Sequence, residues 1–197
     1  MRILVIVFFS TFILSAQKNI TDATGLKVGE EAPLFSAIGA DSSVYSLQTI
    51  LKDGPVVLIF YRGFWCPYCN RHLGNFQDSL TFIQDLGANV IAVSPEKPEY
   101  LQKMADKSGA RFTLLYDDEY KISNAYNVSF LPDKRTVLKY NTFLNANFKE
   151  SHSNGSDMLP IPATFIISEK GIIIWRQFDP DYKKRSSVRD IINVLSE

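Results

Sequence analysis

The sequence predicts an α/β protein with a central mixed β-sheet and helices on both faces. Strand-like and helix-like runs alternate three times between residues 55 and 126, the order that builds parallel strands joined by crossover helices. Two apolar runs separated only by residues 168–170 then read as a hairpin, which adds antiparallel strands. The 197-residue chain carries no formal net charge and is 46% hydrophobic, which suits one domain with a substantial core.

The first stretch reads as an export leader. In "MRILVIVFFSTFILSAQK", Arg2 supplies a positive start, residues 3–14 an apolar core, and Ser15-Ala16 small residues for cleavage. The apolar run is shorter than the ~18–20 residues of a membrane-spanning helix. No cysteine follows it to carry a lipid. Residues 1–16 are therefore expected to be a signal peptide, and residues 17–197 one exported domain, periplasmic or secreted, with no membrane attachment after cleavage.

Residues 17–33 form a polar lead-in, and residues 46–54 a short helix. "PVVLIFY", residues 55–61, is continuously apolar and rich in β-branched and aromatic residues, as in a strand buried on both faces. Cys66, Cys69, Leu73, Phe76, Leu80 and Ile83 then follow helical spacing until Gly87 ends the run. Residues 88–94 read as a strand, 95–108 as a helix, 111–117 as a strand and 119–126 as a short helix. The pattern fades over residues 128–160, too long for a structureless loop, so this stretch reads as an insertion. Its aromatics Tyr140, Phe143 and Phe148 are expected to pack onto the body. The hairpin over residues 162–178 and a final helix over 186–195 complete the chain. The balanced charge gives no support for nucleic-acid binding, and "KKR" at 183–185 is short enough to be a solvated turn.

Cys66 and Cys69 are the only cysteines. As a structural staple they would close a very small loop and restrict the unfolded chain little. A zinc site needs about four ligands, and beyond this pair the chain offers only His72, His152 and carboxylates. A c-type haem needs His after the second cysteine, where Asn70 stands. A redox pair fits better, with no metal and no cofactor implied. Cys66 would sit at a helix N-terminus, where unpaired N–H groups favour a thiolate, with Arg62 and Arg71 adding positive potential. It is expected to be the exposed nucleophile, and Cys69, on the apolar stripe, the buried resolving thiol. In "LPIPATFII", residues 159–167, an Ile-Pro bond opening a strand suggests a cis proline at Ile161-Pro162, beside the sulfurs.

With "GEEAPLF", "FYRGFWCPYCNRHL", "VIAVSPE" and "LPIPATFIISEKGIIIWRQFDPDYKKR" in this order, the chain resembles the thioredoxin superfamily, in its peroxiredoxin-like alkyl hydroperoxide reductase/thiol-specific antioxidant branch. The resemblance spans about residues 28 to 195 and implies a thioredoxin-like fold. It also implies departures. Where that branch carries Pro, Thr and the peroxidatic Cys, this chain has Arg62, Cys66 and Cys69, and the branch's late arginine coincides with Pro162. "CPYC" is similar to the glutaredoxin motif, which leaves glutathione open as a reductant. The expected function is an exported thiol–disulfide oxidoreductase working by dithiol–disulfide exchange. Cys66 and Cys69 would be its catalytic residues, with Trp65, Pro67, Tyr68, Ile161 and Pro162 framing the substrate. The alternative is a thiol-dependent peroxidase reducing hydroperoxides. A third reading is a binding module that uses the insertion, with the pair a vestige. The implied partners are protein or small-molecule disulfides and thiols, hydroperoxides, and an upstream dithiol reductant.

Overall fold

The apolar run PVVLIFY forms the middle of the main sheet. In the computed structural model, which describes residues 19–197, this strand runs over Val56–Phe60 (β3) and every residue in it is buried. The leader expected over residues 1–16 lies outside the described residues. A two-stranded ribbon, Ser36–Ile38 (β1) with Val44–Ser46 (β2), and a short helix Leu47–Ile50 (α1) precede β3. After it come the helices Pro67–Asp78 (α2) and Leu80–Asp85 (α3), the strand Asn89–Ser94 (β4), the helix Pro98–Ser108 (α4), the strand Thr113–Tyr116 (β5) and the helix Lys121–Ala125 (α5). Two strands, Ala163–Ile167 (β8) and Ile173–Phe178 (β9), and a last helix, Val188–Leu195 (α8), close the chain.

The five-stranded sheet has the order β5-β4-β3-β8-β9. β3, β4 and β5 are parallel, and β8 and β9 are added antiparallel. This is the expected mixed sheet. Side chains alternate across β3, as strand geometry requires. Val57 and Ile59 enter a layer with Leu73 and Phe76 of α2, Leu101 and Met104 of α4 and Ile191 of α8. Val56, Leu58 and Phe60 enter the opposite layer with Leu47 of α1 and Ile122 of α5. Each such fully buried side chain contributes about 1.5–3 kcal/mol relative to exposure.

Three expectations are corrected, two on the extent of helices and one on Phe143. The helix expected from Cys66 to Gly87 breaks at Ser79, whose N–H closes a tight bond on the Phe76 carbonyl. Leu80 and Ile83 stay on the core face beyond the break, so the apolar spacing hides it. The helix expected over 119–126 is shorter, because Glu119 and Tyr120 adopt left-handed backbone angles before α5. Residues 128–160 are ordered: an antiparallel ribbon of Ser129–Phe130 (β6) and Leu159–Pro160 (β7) encloses the helices Lys134–Phe143 (α6) and Phe148–Ser151 (α7). Tyr140 and Phe148 pack as expected, both against Trp65, but Phe143 is 76% exposed at the end of α6.

Candidate active site

β3 ends at Phe60, and the chain turns through residues 61–65 into α2, which Cys66 caps. Pro67 occupies the first helical position, where its missing N–H costs nothing and its fixed φ suits the helix. The Cys66 sulfur accepts the Cys69 N–H at 3.3 Å, so it does the work of a capping oxygen. Both cysteines are free thiols, and their sulfurs share a hydrogen over 2.6 Å. Neither is exposed: Cys66 is 0% and Cys69 1% accessible. The expectation that Cys66 is exposed is therefore corrected.

What covers the sulfurs is charge and aromatic surface. Arg62, 3% accessible, donates from Nη2 to the Cys66 sulfur at 3.2 Å and from Nη1 to the Tyr140 hydroxyl at 2.9 Å. Its guanidinium lies 4.0 Å from the Tyr182 ring centre and 5.2 Å from those of Trp65 and Tyr140. Among the described residues, no carboxylate forms an ion pair with it. Arg185 Nη2 lies 3.8 Å from the Cys69 sulfur. Arg71, expected to help, is exposed on α2 and bonds to neither sulfur.

A buried guanidinium without a carboxylate demands another anion. The thiol pair supplies it. Burial opposes charge on Cys69, but the hydrogen bond shared with Cys66 and the fields of Arg62 and Arg185 outweigh it and lower this thiol. Burial pushes the Cys66 thiol up, and so do its hydrogen bond and proximity to Cys69, against the pull of Arg62. The two guanidinium groups thus favour one negative charge on the pair, whose sulfurs share a hydrogen.

A buried acid lies under the same loop. Glu96 Oε2 accepts the Phe64 N–H at 2.8 Å, while burial raises its carboxyl well above the ordinary range. A Cβ at Gly63 would collide with the Glu96 carboxyl and the Trp65 indole, so glycine is required there by close approach.

The framing residues divide. Tyr68 is partly exposed on the rim, with its ring edge-on to Tyr182 at 5.5 Å, and Pro67 is exposed beside it. Trp65 is buried beneath Tyr140 and Phe148 and supports the loop rather than facing a substrate. Ile161 and Pro162 line a cleft of about 450 Å³ that ends on Arg62, Tyr140 and Tyr182. The Ile161-Pro162 bond is trans, correcting the expected cis form. The β6–β7 ribbon hands an extended chain directly into β8, with the Ile161 N–H bonded to the Val128 carbonyl at 2.7 Å.

Sequence reading missed Tyr140, Tyr182, Arg185 and Glu96. Tyr140 reaches the site from the insertion, and Tyr182 and Arg185 from the segment after β9, so no local spacing joins them to the cysteines. "DYKKR" offered a signal in its aromatic-basic pairing, although the short run reads equally well as a surface turn.

A thiol pair capping the helix after the first strand of such a sheet defines a thioredoxin-fold dithiol protein. The chain belongs to the AhpC/TSA family, whose model matches residues 28–176. Peroxiredoxin Bcp of Bacillus subtilis is 28% identical over 175 residues, covering 87% of this chain and 96% of that protein. Peroxiredoxin Bcp of Escherichia coli is 30% identical over 103 residues, covering 52% of this chain and 65% of that protein. The crystal structure of peroxidoxin BcpB from Mycobacterium tuberculosis superposes with a TM-score of 0.67 at 19% identity, covering 87% of this chain and 97% of that one.

Proposed function

We propose that this protein is a thiol-dependent peroxidase that reduces hydroperoxides, with Cys69 as the attacking sulfur and Cys66 as the resolving thiol. The observation that carries this reading is a buried pair of free thiols under two guanidinium groups, Arg62 on Cys66 and Arg185 beside Cys69, neither of which pairs with a carboxylate among the described residues. The register of the family motif, which sets Cys69 at the peroxidatic position, supports the same choice, as do the peroxiredoxin names of the relatives.

In this mechanism the Cys69 thiolate attacks the terminal oxygen of the hydroperoxide. The O–O bond breaks, the alkoxide leaves and takes a proton from water, and Cys69 becomes a sulfenic acid. Cys66 then attacks the Cys69 sulfur, forming the disulfide as the sulfenic oxygen departs with the thiol proton as water. An upstream dithiol returns both sulfurs to thiols and is itself oxidised to a disulfide.

One observation favours dithiol–disulfide exchange as the second reading. The Cys66 sulfur receives N–H groups from both Cys69 and Arg62, donors that would also stabilise a thiolate there. Single variants separate the two. On treatment with one equivalent of hydroperoxide, Cys66→Ser should accumulate a trappable sulfenic acid on Cys69. Absence of that species, with mixed disulfides trapped by Cys69→Ser instead, would return the assignment to exchange. We place the protein in the periplasm or outside the cell, on the strength of the Arg2-led apolar leader.

A further inference from the structure

We propose that Tyr140, carried into the site by α6 of the insertion, is a catalytic residue that gives its hydroxyl proton to the oxygen leaving the hydroperoxide. The proposal rests on the reading of the protein as a peroxidase in which Cys69 attacks, and it gives the insertion a chemical task. Arg62 Nη1 donates to the Tyr140 hydroxyl oxygen at 2.9 Å. A guanidinium has donors and no acceptor, so the Tyr140 hydrogen cannot turn back onto Arg62. Among the described residues no acceptor takes that hydrogen, and Tyr140 lines the cleft of about 450 Å³ that ends on Arg62. The proton is left for an occupant of the cleft.

The placement suits the leaving oxygen rather than the attacked one. The same guanidinium reaches the Cys66 sulfur through Nη2 at 3.2 Å, and that sulfur is 2.6 Å from the Cys69 sulfur. One arginine thus spans the interval between the thiol pair and the phenol. A hydroperoxide attacked in line at its terminal oxygen points its second oxygen away from the sulfur. Packing holds the donor in place, since the Tyr140 ring lies 4.9 Å from Trp65 and 6.4 Å from Phe148 between centres. Neighbouring hydroxyls are otherwise engaged: Thr136, one turn earlier on α6, donates to Asp133 Oδ2 at 2.7 Å, and Tyr182 turns its ring face to Arg62 at 4.0 Å. In the step itself the Cys69 sulfur bonds to the terminal oxygen as the O–O bond breaks. The sulfur is oxidised to the sulfenic acid and the hydroperoxide is reduced. The leaving oxygen takes the Tyr140 proton and departs as an alcohol or as water, and the tyrosinate, beside the Arg62 charge, regains a proton from solvent. Tyr140 thus stands in for the water that would otherwise protonate the alkoxide.

The test varies the need for that proton. In a Cys66→Ser parent, the rate of sulfenic acid formation on Cys69 is measured with two oxidants. Hydrogen peroxide releases hydroxide, which must be protonated, whereas peracetic acid releases acetate, which need not be. Tyr140→Phe keeps the ring on Trp65 and Phe148 and removes only the hydroxyl. It should slow the reaction with hydrogen peroxide about a hundred-fold and leave that with peracetic acid within about two-fold. An equal loss with both oxidants, as a purely structural role would give, or no loss with either, would overturn the proposal. The parent gives a second measure that does not depend on the variant's folding. Its preference for peracetic acid over hydrogen peroxide should be about a hundred-fold smaller than that of free cysteine, and an equal preference would also overturn the proposal. A parent that forms no sulfenic acid with either oxidant would sink the peroxidase reading and this proposal with it. A parent that forms it, with a variant slowed equally for both oxidants, would sink this proposal alone.

Discussion

His72 and His152 are both buried, and burial holds each of them down to about 4, near-neutral imidazoles even in mild acid. At His72 the positive charge of Arg185 adds to burial, while its bond to Ser186 works weakly against them. A histidine lowered in the folded state costs stability as pH falls, because the unfolded chain takes up the proton first, near its ordinary value of about 6.5. The loss should begin there and continue to about 4, at up to about 1.4 kcal/mol per pH unit for each histidine. Glu96, raised by burial, works in the opposite sense, so the effect is read by difference. Urea unfolding at about pH 7 and about pH 5 should show the wild type losing more stability than His72→Asn. Equal losses in the two proteins would show that His72 does not control this window.

At the level of elements, legibility follows how local each cause is. β3 was readable because a strand covered on both faces must be apolar throughout, and α2 because its buried side repeats at helical spacing. The break at Ser79 was not, since the stripe continues across it through Leu80 and Ile83. α6 carried a usable signal in Asp133, whose side chain caps the Thr136 N–H at 2.9 Å, but its exposed Leu138 and Phe143 blur the apolar face. Both cysteines were found from the motif, while the groups that set their charge were not. Tyr140 lies 78 residues beyond Arg62 and Arg185 lies 116 beyond Cys69, and only the folded chain joins them. The proline was misread because the sequence does not reveal that a ribbon feeds β8. The proposed export makes its own prediction at this scale. Mass analysis of the purified protein from its native host should find an N-terminus near residue 17, and a chain retaining Met1 would remove the case for export.

For the whole molecule, the site is closed by parts drawn from three places. The capping loop gives Arg62, the insertion gives Tyr140, and the segment after β9 gives Tyr182 and Arg185. With the sulfurs covered, a substrate reaches them only when this cover moves, and the segment over residues 179–187 is attached there mainly by Ser186 and by the charge contacts. Those charge contacts depend on oxidation state. Disulfide formation abolishes the thiolate and leaves the buried Arg62 and the half-buried Arg185 without the anion they share, which is unfavourable for the buried charge. Oxidation should therefore weaken the latch from within, and backbone amides over residues 179–187 should exchange hydrogen faster in the disulfide form than in the reduced form. Equal exchange in the two forms would show the cover to be indifferent to redox state. Faster exchange would mean that oxidation itself loosens the path by which a second thiol reaches the spent pair.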